Sequence, residues 1–308
     1  MKLLVAGRLS NTVLAYSYKN GLACDVQKPT DRWNVQGPTA LARDRNGRVL
    51  VASTSANGAC GIYRLHGAGE LELVIDLRIG DKDPVYYATG LAVDCHGRLF
   101  VSWAFGDKPK TLAQRIRVFE NQNGVYAELK PNDAPESAPL ALSASHHRVF
   151  AASADGLRVI NSKLETFHYN DQNARAAAKD LHHLTGVAWR QGKIYVTRAV
   201  GCTGDHRILE CRLKRNGELT CEVSPFTTGY SDATQDDDYL TPGPIHFVKN
   251  RGVRLWSCAT FADSCNRPKP SGIIQLGRVT GVVAPFVLKS TSNDKSLLSW
   301  PADFFFVK

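Results

Sequence analysis

Six times along this chain a Pro or Gly introduces a short apolar strand, which ends in a tight turn and returns as a second apolar strand. The clearest unit is Gly37-Pro38-Thr39-Ala40-Leu41-Ala42-Arg43-Asp44-Arg45-Asn46-Gly47-Arg48-Val49-Leu50-Val51. A close copy is Thr89-Gly90-Leu91-Ala92-Val93-Asp94-Cys95-His96-Gly97-Arg98-Leu99-Phe100-Val101. Weaker copies follow at Pro139, Thr185 and Pro244, and a last one begins at Pro301. The openings lie at 38, 89, 139, 185, 243 and 301, so the intervals are 51, 50, 46, 58 and 58 residues. A repeat of this length is the signature of a propeller or a solenoid.

Four strands of about 5–6 residues with their turns fill such an interval. In the Pro38 unit the expected strands are Thr39–Asp44, Val49–Ser53, Gly61–Leu65 and Leu71–Leu77. Asn46-Gly47, Asn123-Gly124 and Asn216-Gly217 are hairpin signals between strands. Helical spacing is confined to the Ala-rich stretch Asn173–Leu181, which suggests a short loop helix.

The two ends complement each other. Pro301–Val307 is a first strand with no partner after it, whereas Lys2–Ala6 and Thr12–Tyr16 are following strands with no first strand before them. Joining them completes a sixth blade and removes exposed sheet edges. The expected fold is therefore all-β, a six-bladed β-propeller with four-stranded blades. A clasp of the C-terminal strand with the N-terminal strands closes it. No Ser/Gly-rich linker divides the chain, so residues 1–308 read as one domain.

The charge of +9 raises the question of nucleic acid, but the basic residues are scattered over turns and Asp236-Asp237-Asp238 interrupts any stripe. Without a clustered patch no nucleic-acid partner is expected, and the Asp run reads as a solvated turn. Nothing approaches the roughly 20 apolar residues of a membrane span. Met1–Gly7 is too short and strand-like for a leader, which leaves open an intracellular protein or a secreted one whose leader has been removed. Of eight cysteines, Cys211 and Cys221 flank the Arg215-Asn216-Gly217 hairpin tip and should sit opposite each other; Cys258 and Cys265 bracket one loop. Neither CxxC nor a Cys/His zinc spacing occurs.

In a propeller the first strand of each blade lines the central channel, and the long loops gather on one rim. Here those loops include Lys28–Gln36, Arg78–Ala88, Asn170–Leu184, Thr228–Pro242 and Lys289–Trp300, with Phe105–Ala113, Ala199–Asp205 and Ala259–Pro270. That rim is the expected site face. Positions two residues before the openings include Gln36, Tyr87, His183 and Ser299. Around them cluster Trp33, Tyr86, His182, Tyr239, Trp300, Phe105, Phe261 and Arg198. Such walls suit a hydrophobic, oxygenated small molecule. Alternation along a strand allows only one of Tyr86/Tyr87 and one of His182/His183 to face inward. Trp300 is as much a core candidate as a pocket one. Arg198 is either an anion or carbonyl clamp or the ion-pair partner of a loop acid such as Asp205. His246 lies inside a first strand, facing the channel or packing, while His96 and His146-His147 fall on turns of the opposite rim.

These repeats resemble the NHL, senescence-marker/gluconolactonase and strictosidine-synthase group of six-bladed propellers. Gluconolactonase-type members of that group bind a divalent cation at the channel mouth. The resemblance places their Glu ligand at Gln36 and their Asn/Asp ligands at Thr39, Thr89, Leu140, Thr185, Ile245 and Ala302. None of these is a carboxylate, and Asp303 alone does not make a site for a hard cation. No metal and no cofactor is expected. No Gly-x-Ser-x-Gly elbow and no Gly-rich phosphate loop occurs either.

In length, loss of the metal ligands and aromatic rim the chain is similar to fungal hetero-Diels–Alderases. That resemblance implies a metal-independent cyclisation, with Tyr87, His183 and Arg198 polarising the oxygenated partner. Trp33, Gln36, Thr39, Tyr86, Thr89, Phe105, His182, Thr185, Tyr239, His246, Phe261, Trp300 and Asp303 would surround the substrate. A lactonase with an altered metal site and a non-enzymatic binding propeller are the alternatives.

Overall fold

The structure is a computed structural model, and it describes residues 2–8, 10–17, 29–54, 60–77, 85–106, 113–129, 139–170, 181–198, 207–224, 239–249, 253–262, 272–275, 286–289 and 301–307. The chain starts with β1 (Lys2–Gly7), β2 (Thr12–Ser17) and β3 (Asp31–Asn34). Five four-stranded antiparallel sheets follow in chain order. They are β4 (Pro38–Arg43), β5 (Val49–Thr54), β6 (Cys60–Leu65) and β7 (Leu71–Asp76); β8 (Val85–Val93), β9 (Leu99–Gly106), β10 (Ala113–Gln122) and β11 (Val125–Glu128); and β12 (Pro139–Ala144), β13 (Arg148–Ser153), β14 (Gly156–Asn161) and β15 (Thr166–Tyr169). Next come β16 (Leu184–Arg190), β17 (Lys193–Arg198), β18 (Arg207–Leu213) and β19 (Leu219–Val223), then β20 (Tyr239–Lys249), β21 (Val253–Ala262), β22 (Gly272–Gln275) and β23 (Phe286–Lys289).

The last strand, β24 (Pro301–Val307), returns to the beginning and pairs antiparallel with β1, Val5 opposite Phe304 and Leu3 opposite Phe306. The sixth sheet thus has the order β24-β1-β2-β3. First strands touch in a closed cycle, β24 to β4, β8, β12, β16, β20 and back to β24. This is the six-bladed propeller with its clasp.

Burial explains the apolar runs. β2, β5 and β13 are buried at five of six positions, because each face of a blade meets a neighbouring blade. The outermost strands lose that cover, and β7 exposes Glu72, Leu73 and Asp76. Polar groups between blades are matched individually. The Arg117 guanidinium lies over Trp103 and Phe119, 5.2 and 5.1 Å from the ring centroids. It donates to both carboxylate oxygens of Glu128 at 2.7 and 2.5 Å and to the Leu77 carbonyl of the preceding blade at 3.3 Å. Tyr169 Oη donates to the Gly217 carbonyl of the next blade at 2.8 Å.

The tight turns follow the repeat. In Asp44–Arg48 and Asp94–Arg98 the Asp accepts the Arg backbone N–H at 2.8 and 2.9 Å and pairs with the same Arg's Nε at 2.6 and 2.7 Å. Gly47 and Gly97 take the left-handed conformation the turn demands, at φ +81° and +82°. Cys211 and Cys221 stand directly opposite each other on β18 and β19 and form a disulfide. Cys258 with Cys265, and the expected helix from Asn173, lie outside the described side chains and residues. Among the described residues the one helical turn is the 3-10 segment Gly67–Gly69, and no helix is long and apolar enough to cross a membrane.

Several expected loops prove shorter. β8 and β9 extend until Val85 opposes Gly106, and β20 and β21 until Tyr239 opposes Ala262. Tyr86, Tyr87, Phe105, Tyr239 and Phe261 are therefore strand residues. Antiparallel pairing of the two innermost strands resumes beyond a bulge and carries the ladder into the segments expected to be loops.

Two outcomes follow. A Cβ on Gly37, at φ +48°, would stand 1.9 Å from the Thr54 carbonyl oxygen, so Gly37→Ala should cost about 2–4 kcal/mol, read as a lower thermal midpoint. Burial pushes the Cys60 thiol up to about 12, whereas Cys95 is exposed. Iodoacetamide applied to the folded protein should label Cys95 and spare Cys60, with peptide mass mapping as the readout.

Candidate functional site

In every blade the pairing of the first two strands is broken at the same place. The first strand slips register against the second between Pro38 and Ala40, Ala88 and Gly90, Pro139 and Ala141, Leu184 and Gly186, and Pro242 and Ile245. The clasp does so where Ala6 opposes Asp303 and Gly7 opposes Pro301. The extra residues are Thr39, Thr89, Leu140, Thr185, the pair Gly243-Pro244, and Ala302. Such a bulge bends the strand and re-aims its side chains. These are the positions that the resemblance to gluconolactonase-type propellers aligned with cation ligands, except in the fifth blade, where Ile245 is paired opposite Ser257 and the bulge sits just before it.

At the level of the bulges the channel is lined by Thr39, Thr89, Leu142, Val187, His246 and Asp303 among others, and its free space, about 10 Å³, is enough for about one water. Its charged centre is Asp303. This carboxylate is 6% exposed. Its Oδ2 accepts the Leu41 N–H from β4 at 2.7 Å, and its Oδ1 accepts the Phe304 N–H at 2.8 Å. The same Oδ1 meets His246 Nε2 of β20 at 2.8 Å. The His246 ring packs edge-on against Phe304 at 4.9 Å, and its side chain is 33% exposed. A carboxylate only accepts, so Nε2 donates and Nδ1 is left as the basic nitrogen.

Thr39 is buried and its hydroxyl donates to the Ala88 carbonyl of the next first strand. The hydroxyls of Thr89 and Thr185 pair with Ser102 at 2.6 Å and Thr197 at 3.1 Å. At the upper end of β17, Arg198 is buried and its Nη2 lies 2.7 Å from His182 Nε2. His183 is exposed at φ +53°, its N–H donating to the Ala154 carbonyl. The histidine that meets Arg198 is thus His182. Gln36 is exposed and is not among the residues around that water-sized space.

Trp33 is a correction. It sits on the outermost strand β3, is buried in the apolar contact with the next blade, and donates its Nε1–H to the His66 carbonyl at 2.6 Å. An indole that buries well and finds one acceptor is a satisfied core residue, and β3 is the strand farthest from the channel. The side chains of Tyr86, Tyr87, Phe105, Tyr239 and Phe261, and all of Trp300, lie outside the described set. Sequence reasoning named His246 and Asp303 separately but missed the pair. No local signal joins residues 57 positions apart.

The fold group's divalent cation can be tested against the donor set. A hard cation takes six or more oxygen ligands. The bulge hydroxyls are engaged with protein partners, and Asp303 is taken up by Leu41, Phe304 and His246. Among the described residues no three His, Cys, Asp or Glu side chains converge. These residues do not fit a hard cation.

No protein-family profile matches the chain, and no curated protein matches it in sequence. Solved structures do match in shape. A Bacteroides caccae protein of unknown function superimposes with TM-score 0.55 at 11% identity, covering 98% of this chain and 97% of that one. A candidate 6-phosphogluconolactonase from Bacteroides uniformis gives 0.52 at 12% identity, with 99% of both chains covered. A candidate gluconolactonase gives 0.50 at 13%, covering 83% and 80%. At such identities the likeness establishes the propeller fold and nothing finer.

Proposed function

We propose that this propeller is a metal-independent lactone hydrolase whose general base is His246, oriented by Asp303. The observation that carries the reading is the hydrogen bond of His246 Nε2 to a carboxylate held by two backbone N–H groups, beside a water-sized space in the channel. In the proposed step Nδ1 takes a proton from water as its oxygen attacks the lactone carbonyl. The tetrahedral adduct collapses by breaking the ring C–O bond, and the imidazolium returns the proton to the leaving alkoxide. The product is the open hydroxy acid, and no proton is left over. Asp303 fixes the ring orientation and stabilises the transient imidazolium, the role a carboxylate plays behind any catalytic imidazole.

Two of the solved structures that share the fold bear gluconolactonase-type names, which agrees with a lactone as substrate class. Cyclisation draws on the rim aromatics, whose side chains lie outside the described set, and no observation favours it over hydrolysis. The substrate would rest on the long-loop rim, with Arg198 and His182 at its edge.

The test is a panel of lactones and aryl esters assayed with and without chelator. We expect turnover that survives chelation, and a His246→Gln variant with kcat reduced about 10²–10⁴-fold at similar KM. Absence of turnover across the panel, or full activity in His246→Gln, would overturn the proposal. Asp303→Ala should also lower the thermal midpoint, since the buried Leu41 N–H loses its acceptor at about 1–3 kcal/mol, while Asp303→Asn retains an acceptor oxygen.

A further inference from the structure

On the opposite rim three tight turns from two neighbouring blades enclose a second cleft. It is lined by Arg45, Asn46 and Arg48 of the β4–β5 turn, His96 and Gly97 of the β8–β9 turn, and Asn121, Asn123 and Gly124 at the β10–β11 turn. Its volume of about 360 Å³ falls within the usual range of small-molecule pockets, about 300–1,000 Å³. None of its lining residues is shared with the channel.

The lining is one-signed. It holds two guanidinium groups and a histidine, and no Asp or Glu. Asp44 and Asp94, the acids nearest in sequence, are turned into their own turns, where they bind Arg48 and Arg98. Arg45 makes no ion pair among the described residues. Its stem is laid against Gly97, with Cδ 3.6 Å from where a Cβ on that glycine would stand, which gives the long side chain a fixed bed. The side chains of Asn46, His96 and Asn123 likewise have no hydrogen-bond partner among the described residues. Four uncommitted donors around one cleft, next to the half-neutralised Arg48, form an environment that a dianion would satisfy. Asp44 and Gly47 fix the backbone of the Arg45 turn, so binding has only side chains to order there.

We propose that this turn-built cleft is a binding site for a small oxyanion-bearing molecule, with Arg45 as its principal ligand and His96 and Asn123 closing on it from the neighbouring blade. Phosphorylated and polycarboxylate molecules share this chemistry, and pyrophosphate and citrate are the probes that separate them.

Isothermal titration of the full chain should give saturable one-to-one binding of at least one probe, weakening as chloride is added. The tighter of the two identifies the anion class. Arg45→Glu should weaken that probe about tenfold or more, and His96→Ala should weaken it by a smaller factor. Arg215→Glu reverses an exposed charge on a turn of another blade and should leave binding unchanged. Arg45 lies on an exposed turn, so an unchanged melting midpoint in Arg45→Glu separates lost binding from lost fold, and His96→Ala serves independently. Non-saturable binding, equal weakening by Arg215→Glu, or wild-type affinity in Arg45→Glu would overturn the proposal.

Discussion

The antiparallel pairing of β24 with β1 is the contact on which the rest of the structure depends, for it turns a row of blades into a ring. Without it the first sheet would keep three strands and an open edge, and the two neighbouring blades would each lose a packed face. First strands of adjacent blades splay from one another, so side chains satisfy backbone groups that no ladder reaches. The Thr39 hydroxyl does this for the Ala88 carbonyl, and Ser143 Oγ accepts the Trp189 N–H at 3.2 Å. Asp303 performs the same service at the clasp. It accepts the Leu41 N–H on one side and His246 on the other, so one carboxylate joins strands of three blades.

In the proposed mechanism that position couples closure to chemistry. A carboxylate needed to complete the ring is also rigid enough to hold an imidazole, and His246 inherits that rigidity from both Asp303 and Phe304. The bulge at the opening of each first strand has the complementary effect. It inserts one residue into each first strand, two in the fifth blade, and the three threonines among them already have hydroxyl partners within the protein. A hydrolase on this scaffold would therefore rely on a positioned base.

Much of the blade architecture is legible in the residues. Strands β4 to β7 fall within a residue or so of the expected spans, because apolar runs and Asn-Gly turns mark both ends of a strand locally. The Cys211–Cys221 pair is legible for the same reason: a hairpin with Gly217 at φ +85° fixes the partners by register. Trp33 was not legible. Its position beside a long loop suggested the rim, yet whether an indole faces a channel or a neighbouring blade depends on the packing of sheets, which no window of sequence contains. His182 and His183 show the intermediate case. Alternation allowed at most one of them to turn inward, and the structure shows His182 meeting Arg198 while His183, with a left-handed backbone, is exposed.

By itself the sequence determined what is periodic and local: the number of blades, the tight turns, the clasp, and the absence of a carboxylate at Thr39, Thr89, Leu140, Thr185 and Ala302. Each is written in short-range patterns of hydrophobicity, glycine and charge, and short-range patterns survive without knowledge of the fold. The tertiary structure alone decided the register bulges, the burial of Trp33, the meeting of His246 with Asp303, and the convergence of Arg45, His96 and Asn123 on one cleft. These depend on how strands pair and blades pack, and the meeting of His246 with Asp303, 57 positions apart, requires the ring to close, a property of the whole chain that no segment encodes.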